Sequence, residues 1–222
     1  MADSDGFAAR LRGFGPVGIA VILFVLLALL LVGPLTAILV MLWAWYARVS
    51  WRDMGFDRPR SWALTIGGGI IAGILLKLAL KAVVMPLIGA PAINSAYHYV
   101  SGNPAALTKM IITVIVAGGI GEEIVYRGFL FERLRGLLGR SATATAAIIV
   151  LTTALFASAH FAEQGIAGSE QAVFTGLTFA VLYILTGSLW LSIVTHASYD
   201  VVALVMIYFD IEGAVARSVL GS

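Results

Sequence analysis

The stretch GGIGEEIVYRGFLF, residues 118–131, sets two adjacent carboxylates, Glu122 and Glu123, at the end of a strongly apolar run, with Arg127 one turn further on. A charge at the centre of a bilayer costs about 2.5–3.5 kcal/mol on insertion scales, so such residues need a partner or a task. Glu123 and Arg127 are i, i+4 with the acid first, the order that pairs along one helix face. Glu122 lies about 100° round the helix and points elsewhere. Phe156 and His160 share a face in FASAH, and His196 and Asp200 are i, i+4 on a later helix. A carboxylate in a low-dielectric pocket suits a general base that activates water, and imidazoles can orient that water or donate to an oxyanion. One Glu with two His is also the ligand chemistry of catalytic zinc with water in an open position. The spacing is not HExxH, so a metal would draw Glu122, His160 and His196 from separate helices. The residues alone leave both chemistries open.

These groups need a scaffold, and composition defines its class. The chain is 60% hydrophobic and 12% charged, against about 45–50% and about 25% in soluble domains. Its mean hydropathy is +0.99. Its 222 residues suit one all-α, polytopic transmembrane bundle of six to eight spans at ~20 residues each. A net charge of +2 gives no argument for nucleic acid, and the absence of cysteine excludes disulfides and thiolate chemistry. No cleaved signal peptide is expected, because the first apolar run is too long and more spans follow.

Residues 1–13 read as a polar, mobile tail. The segment 14–104 supplies N-terminal transmembrane helices. Within it, the run 14–47 is one kinked span or, preferably, two short ones folded back at Gly33-Pro34. A loop at 48–61 carries Arg48, Arg52, Arg58 and Arg60, and a clear span covers 62–88. The core, 105–210, begins with the span that runs through the Glu pair into FLFERLRGLLGR, which reads as an interfacial amphipathic helix. Spans at 142–161, 170–187 and 189–209 follow, and 211–222 is a short tail. The loops 89–104 and 162–169 contain no Lys or Arg, so the positive-inside rule places loops 48–60 and 133–140 in the cytoplasm. Arg10 and Arg12 join them if 14–47 is a hairpin, which gives seven spans.

Glu122 and His160 are equally far from the turn at Ser141, so an antiparallel hairpin of their spans makes them neighbours, and His196 closes a third side. Gly69 with Gly73, and Ala117 with Gly121, have the small-xxx-small spacing of close helix contacts. Glu123–Arg127 is read mainly as structural glue. Lys77 and Lys81 are expected to snorkel outward on their long stems; the alternative is that they face the cavity and meet Asp200 or a substrate carboxylate. His98 is read as interfacial.

Three motifs in order, Glu122-Glu123-x-x-x-Arg127, Phe156-x-x-x-His160 and His196-x-x-x-Asp200, resemble those of the CAAX prenyl endopeptidase and bacteriocin-processing (CPBP, abortive-infection) family. The likeness covers about 105–205. It implies an intramembrane endopeptidase of the CAAX-protease type, classed with metalloproteases although a metal-free glutamate mechanism is also argued. By analogy Glu122 activates the water with His160 assisting, and His196 and position 200 stabilise the oxyanion or hold a divalent metal such as zinc. Glu123 and Arg127 would brace the site, with Phe156 and Tyr126 as further supporting residues. Position 200 is Asp where the prenyl proteases have Asn, and an ionised Asp cannot donate to an oxyanion. The implied partners are a peptide or protein substrate, lipidated or plain, and membrane lipids, with no nucleic acid; the location is the cytoplasmic membrane of a prokaryote. The alternatives are a non-catalytic immunity or scaffold member of the family and, further off, a proton-coupled transporter. The sequence leaves the substrate and the oligomeric state open.

Overall fold

The computed structural model describes residues 2–220, with side chains at all of these except 2–4, 30 and 34. Among the described residues the chain is helical, without strands. In chain order the helices are α1 (Ala2–Arg12), α2 (Pro16–Val32), α3 (Thr36–Tyr46), α4 (Trp62–Leu87), α5 (Pro104–Leu138), α6 (Ala142–Thr186), α7 (Leu189–Tyr208) and α8 (Glu212–Leu220). Their starts are written in the sequence. The side chains of Ser61, Asn103, Ser141 and Ser188 accept N–H bonds at the beginnings of α4, α5, α6 and α7, and Pro104 occupies the first turn of α5, as the unpaired N–H groups of a first turn require.

Among the described residues four helices, α4 to α7, are long and apolar enough to cross a membrane, and the bent pair α1–α2 makes up to five. The six to eight spans read from composition exceed this count for identifiable reasons. The two spans placed at 142–161 and 170–187 are one 45-residue stretch, α6, broken only at Gly165. A straight helix of that length would measure ~68 Å, over twice the ~30 Å hydrocarbon thickness. Gly165 has φ 64° and ψ −156°, a conformation open at low cost only to glycine. Beyond it the chain turns back on itself. Ser169 Oγ donates to the carbonyl of Ala157 at 2.9 Å, and a Cβ on Gly176 would stand 3.1 Å from the Phe156 ring.

The run 14–47 folds back at Gly33–Leu35, and its second arm returns to α1, where Trp43 Nε1 donates to the Leu11 carbonyl at 3.2 Å. The hairpin is therefore present, but its second arm is only 11 residues, and its turn packs on residues 114–122 of α5. Within the stretch read as a mobile tail, residues 2–12 form α1, with Ala8 only 1% exposed. At the amphipathic end of α5 one arginine turns inward. Arg133 is buried, donates to the carbonyls of Arg12 and Gly13, and lies 4.4 Å from the Phe14 ring centroid.

Packing of α4 on α7 uses the Gly69/Gly73 pair as the spacing predicts. A Cβ on Gly73 would lie 2.5 Å from the Thr195 carbonyl oxygen, and one on Gly69 2.7 Å from Val194. On α5 the residues that approach α7 are Gly118 and Gly119, the latter 2.8 Å from Ala197 by the same construction. Residues 114–122 and 124–130 of α5 are π-helical, a rare winding that recurs at functional sites.

Candidate active site

The π-helical segments present Glu122 and Glu123 in different directions. Glu123 points into the bundle and is fully buried beside fully buried Arg127. Arg127 Nη1 donates to Glu123 Oε1 at 2.8 Å, and Nη2 donates to the Gly176 carbonyl at 2.8 Å. The same Glu123 oxygen accepts from His196 Nδ1 at 2.9 Å. That bond assigns the imidazole proton, since a carboxylate accepts, and turns Nε2 to the other side. Phe179 stacks on the His196 ring at 4.4 Å and 24°. Arg127 is itself enclosed by Phe156, Phe179 and Tyr126, at 4.9, 5.5 and 5.8 Å. A charged brace thus fixes one imidazole from behind.

In front of that imidazole lies a cavity of about 650 Å³ lined by Glu122, Phe156, His160, His196 and Asp200. His196 Nε2 stands 3.4 Å from Asp200 Oδ2 and 3.8 Å from Glu122 Oε2. Glu122 Oε2 is buried with no hydrogen-bond partner. A buried carboxylate oxygen left open is costly unless water or substrate completes it. His160 and His196 are both close enough to interact electrostatically with Glu122. His160 Nδ1 donates to the carbonyl of Phe156, one turn earlier, at 2.9 Å, and its ring lies 4.4 Å from that of Phe156. This is what the Phe-x-x-x-His spacing accomplishes: it locks the ring and leaves Nε2 as its free nitrogen.

Glu122, His160, His196 and Asp200 are therefore brought to one cavity. Glu123 and Arg127 lie directly behind them. Tyr126 does not reach the cavity; it is buried at an edge-on contact with Phe156, ring centroids 5.0 Å apart. The outward reading of Lys77 and Lys81 is wrong. They are 4% and 6% exposed and line the same cavity. Lys81 Nζ pairs with Glu212 Oε1 at 2.7 Å, while Lys77 Nζ lies 4.8 Å from the Tyr199 ring centroid and 3.4 Å from Gln171 Oε1. Snorkelling fails because α8, from the supposed tail, covers Lys81 with a counter-charge. Glu212, Gln171 and Tyr199 escaped the sequence reading. Only Tyr199, beside Asp200, carried a local signal.

The donor set can be tested against a metal. Glu122, His160 and His196 would be its ligands, yet among the described residues no three His, Asp or Glu side chains stand as a ligand set. Each imidazole commits Nδ1 to a protein acceptor and keeps Nε2 free, the orientation a metal-binding histidine also has.

Fold and site together define an integral membrane protein of helices around a buried carboxylate–imidazole cavity. Residues 104–202, a little under half of the chain, match the family described as Rce1-like, type II CAAX prenyl endopeptidase, so this segment is similar to the CPBP/CAAX protease family. Comparison with curated proteins and with solved structures gave no match.

Proposed function

We propose that the protein is an intramembrane endopeptidase of the CAAX-protease type, in which Glu122 activates the hydrolytic water without a metal. The observation that carries this reading is the unpartnered, buried Glu122 Oε2 in a cavity shared with two oriented imidazoles. Glu122 takes a proton from water as the oxygen adds to the scissile carbonyl carbon. With a proton on Nε2, His196 donates to the resulting oxyanion, held in place by Glu123 and Arg127. The C–N bond then breaks, and Glu122 returns its proton to the leaving amine. His160 Nε2 orients the water. Position 200, with Asp200 Oδ2 3.4 Å from His196 Nε2, faces the same oxyanion, to which a protonated carboxyl or an amide there donates. Such a general base contributes about 10²–10⁴-fold.

In this reading α4, α5, both arms of α6, and α7 cross the membrane, and the α2–α3 hairpin adds two short arms, seven segments in all. Each arm of α6 has about 20 residues, enough to span. The location is the cytoplasmic membrane of a prokaryote. The test uses the full chain in detergent micelles or proteoliposomes with paired prenylated and unprenylated reporter peptides. Cleavage by wild type that falls about 10²–10⁴-fold in Glu122→Gln is expected. Equal cleavage by the two proteins, or none by wild type on a panel of peptides, would overturn it; elemental analysis of the active preparation tests the metal-free part. The same peptides show whether a lipid tail matters.

A further inference from the structure

The cavity has one end, and that end can be assigned to a side of the membrane. Nine of the fourteen Lys and Arg residues lie in α1, in the loop 48–61 and at residues 133–140. Contacts tie these segments to one end of the bundle. The Leu189 N–H donates to the Gly55 carbonyl at 2.8 Å, Arg133 donates to the carbonyls of Arg12 and Gly13, and Trp43 donates to Leu11. At the other end the Gly102 N–H donates to the Tyr208 carbonyl at 3.0 Å, and Asn94 Nδ2 to Gln164 Oε1 at 3.3 Å. The loops there, 89–103 and 163–169, hold no Lys or Arg.

The cavity belongs to this second end. Its rim is formed by Gly89, Pro91 and Ile93 of one loop and Glu163 and Ile166 at the α6 turn, all exposed. Towards the basic end it is closed by Tyr126, Phe129, Phe131 and Phe179, none more than 1% exposed. The concavity at the basic end, lined by Arg52, Glu132, Arg135 and Tyr183 among others, shares no residue with it. Since short loops rich in Lys and Arg stay in the cytoplasm, we infer that the cavity takes its substrate from the extracytoplasmic face, so that the segment cleaved is a peptide exposed on that side of the membrane. What happens to the segment rests on the endopeptidase reading; the sidedness does not.

The chain has no cysteine, so single-cysteine variants report cleanly. In cells expressing the full chain, Ala96→Cys and His98→Cys, exposed in the rim-side loop, should label completely with a membrane-impermeant maleimide before permeabilisation. Ala142→Cys, exposed at the basic end, should label only afterwards. The reverse pattern, or labelling of all three before permeabilisation, overturns the assignment. Ala167→Cys lies on the cavity wall, and the same reagent applied from outside should abolish cleavage of the reporter peptide. Full labelling of Ala167→Cys with unchanged cleavage would overturn this route to the site. Labelling is read whether or not the chain cleaves anything, so failure of the peptidase reading appears separately, as correct labelling without Glu122-dependent cleavage.

Discussion

Removing Arg127 tests the brace behind His196 most directly. The guanidinium is fully buried, donates to Glu123 and to the Gly176 carbonyl, and fills the space between Phe156, Phe179 and Tyr126. Arg127→Ala leaves Glu123 buried with His196 as its one remaining donor, and breaking a buried pair from one side costs about 3–5 kcal/mol. For a soluble domain of this size each kcal/mol moves Tm by about 2–4 °C, so a fall of roughly 6–20 °C is expected in detergent. Arg127→Lys keeps the charge but cannot reach Glu123 and Gly176 with one planar fork, and a loss nearer 1–2 kcal/mol is expected. Removing both charges, Glu123→Leu with Arg127→Met, should recover part of the stability lost in Arg127→Met, because no unpaired charge remains. The assay is thermal unfolding of purified variants followed alongside peptide cleavage. An Arg127→Ala protein with wild-type stability and no cleavage would refute the brace.

Asp200→Asn should keep or increase cleavage, because the amide is a permanent donor; stoichiometric metal in wild type that disappears with activity in this variant would refute it. Gly73→Ala forces a Cβ to 2.5 Å from the Thr195 carbonyl, and overpacking of about 1–3 kcal/mol should appear as a lower Tm; an unchanged Tm would contradict the close α4–α7 contact. Gly165→Ala should cost about 1–3 kcal/mol, the usual strain of a glycine-only conformation, and a neutral result would refute the sharp reversal of α6. Glu212→Ala leaves Lys81 buried and unpaired, and a loss of about 3–5 kcal/mol is expected; unaltered stability would mean that α8 does not seal the cavity.

The chain alone determined its solvent and its chemistry. A sequence this apolar must satisfy its backbone within helices, and the few ionisable residues in those helices stand out because each is expensive there. Glu122, Glu123, Arg127, His160, His196 and Asp200 were legible for that reason. What the sequence withheld is which side of each helix meets which neighbour. A helix that is apolar all round carries no stripe to orient it, so nothing local said that Lys77 and Lys81 turn inward or that Glu123 binds His196. Spacing suggested instead that Asp200 was the nearest carboxylate to that imidazole; it lies at 3.4 Å from Nε2, while Glu123 holds Nδ1 at 2.9 Å from 73 residues away. Glu212 sits in a stretch that reads as a tail, and its role depends on Lys81, 131 residues distant. Pairings over such separations arise only when the helices close on one another, and the tertiary structure alone decides them.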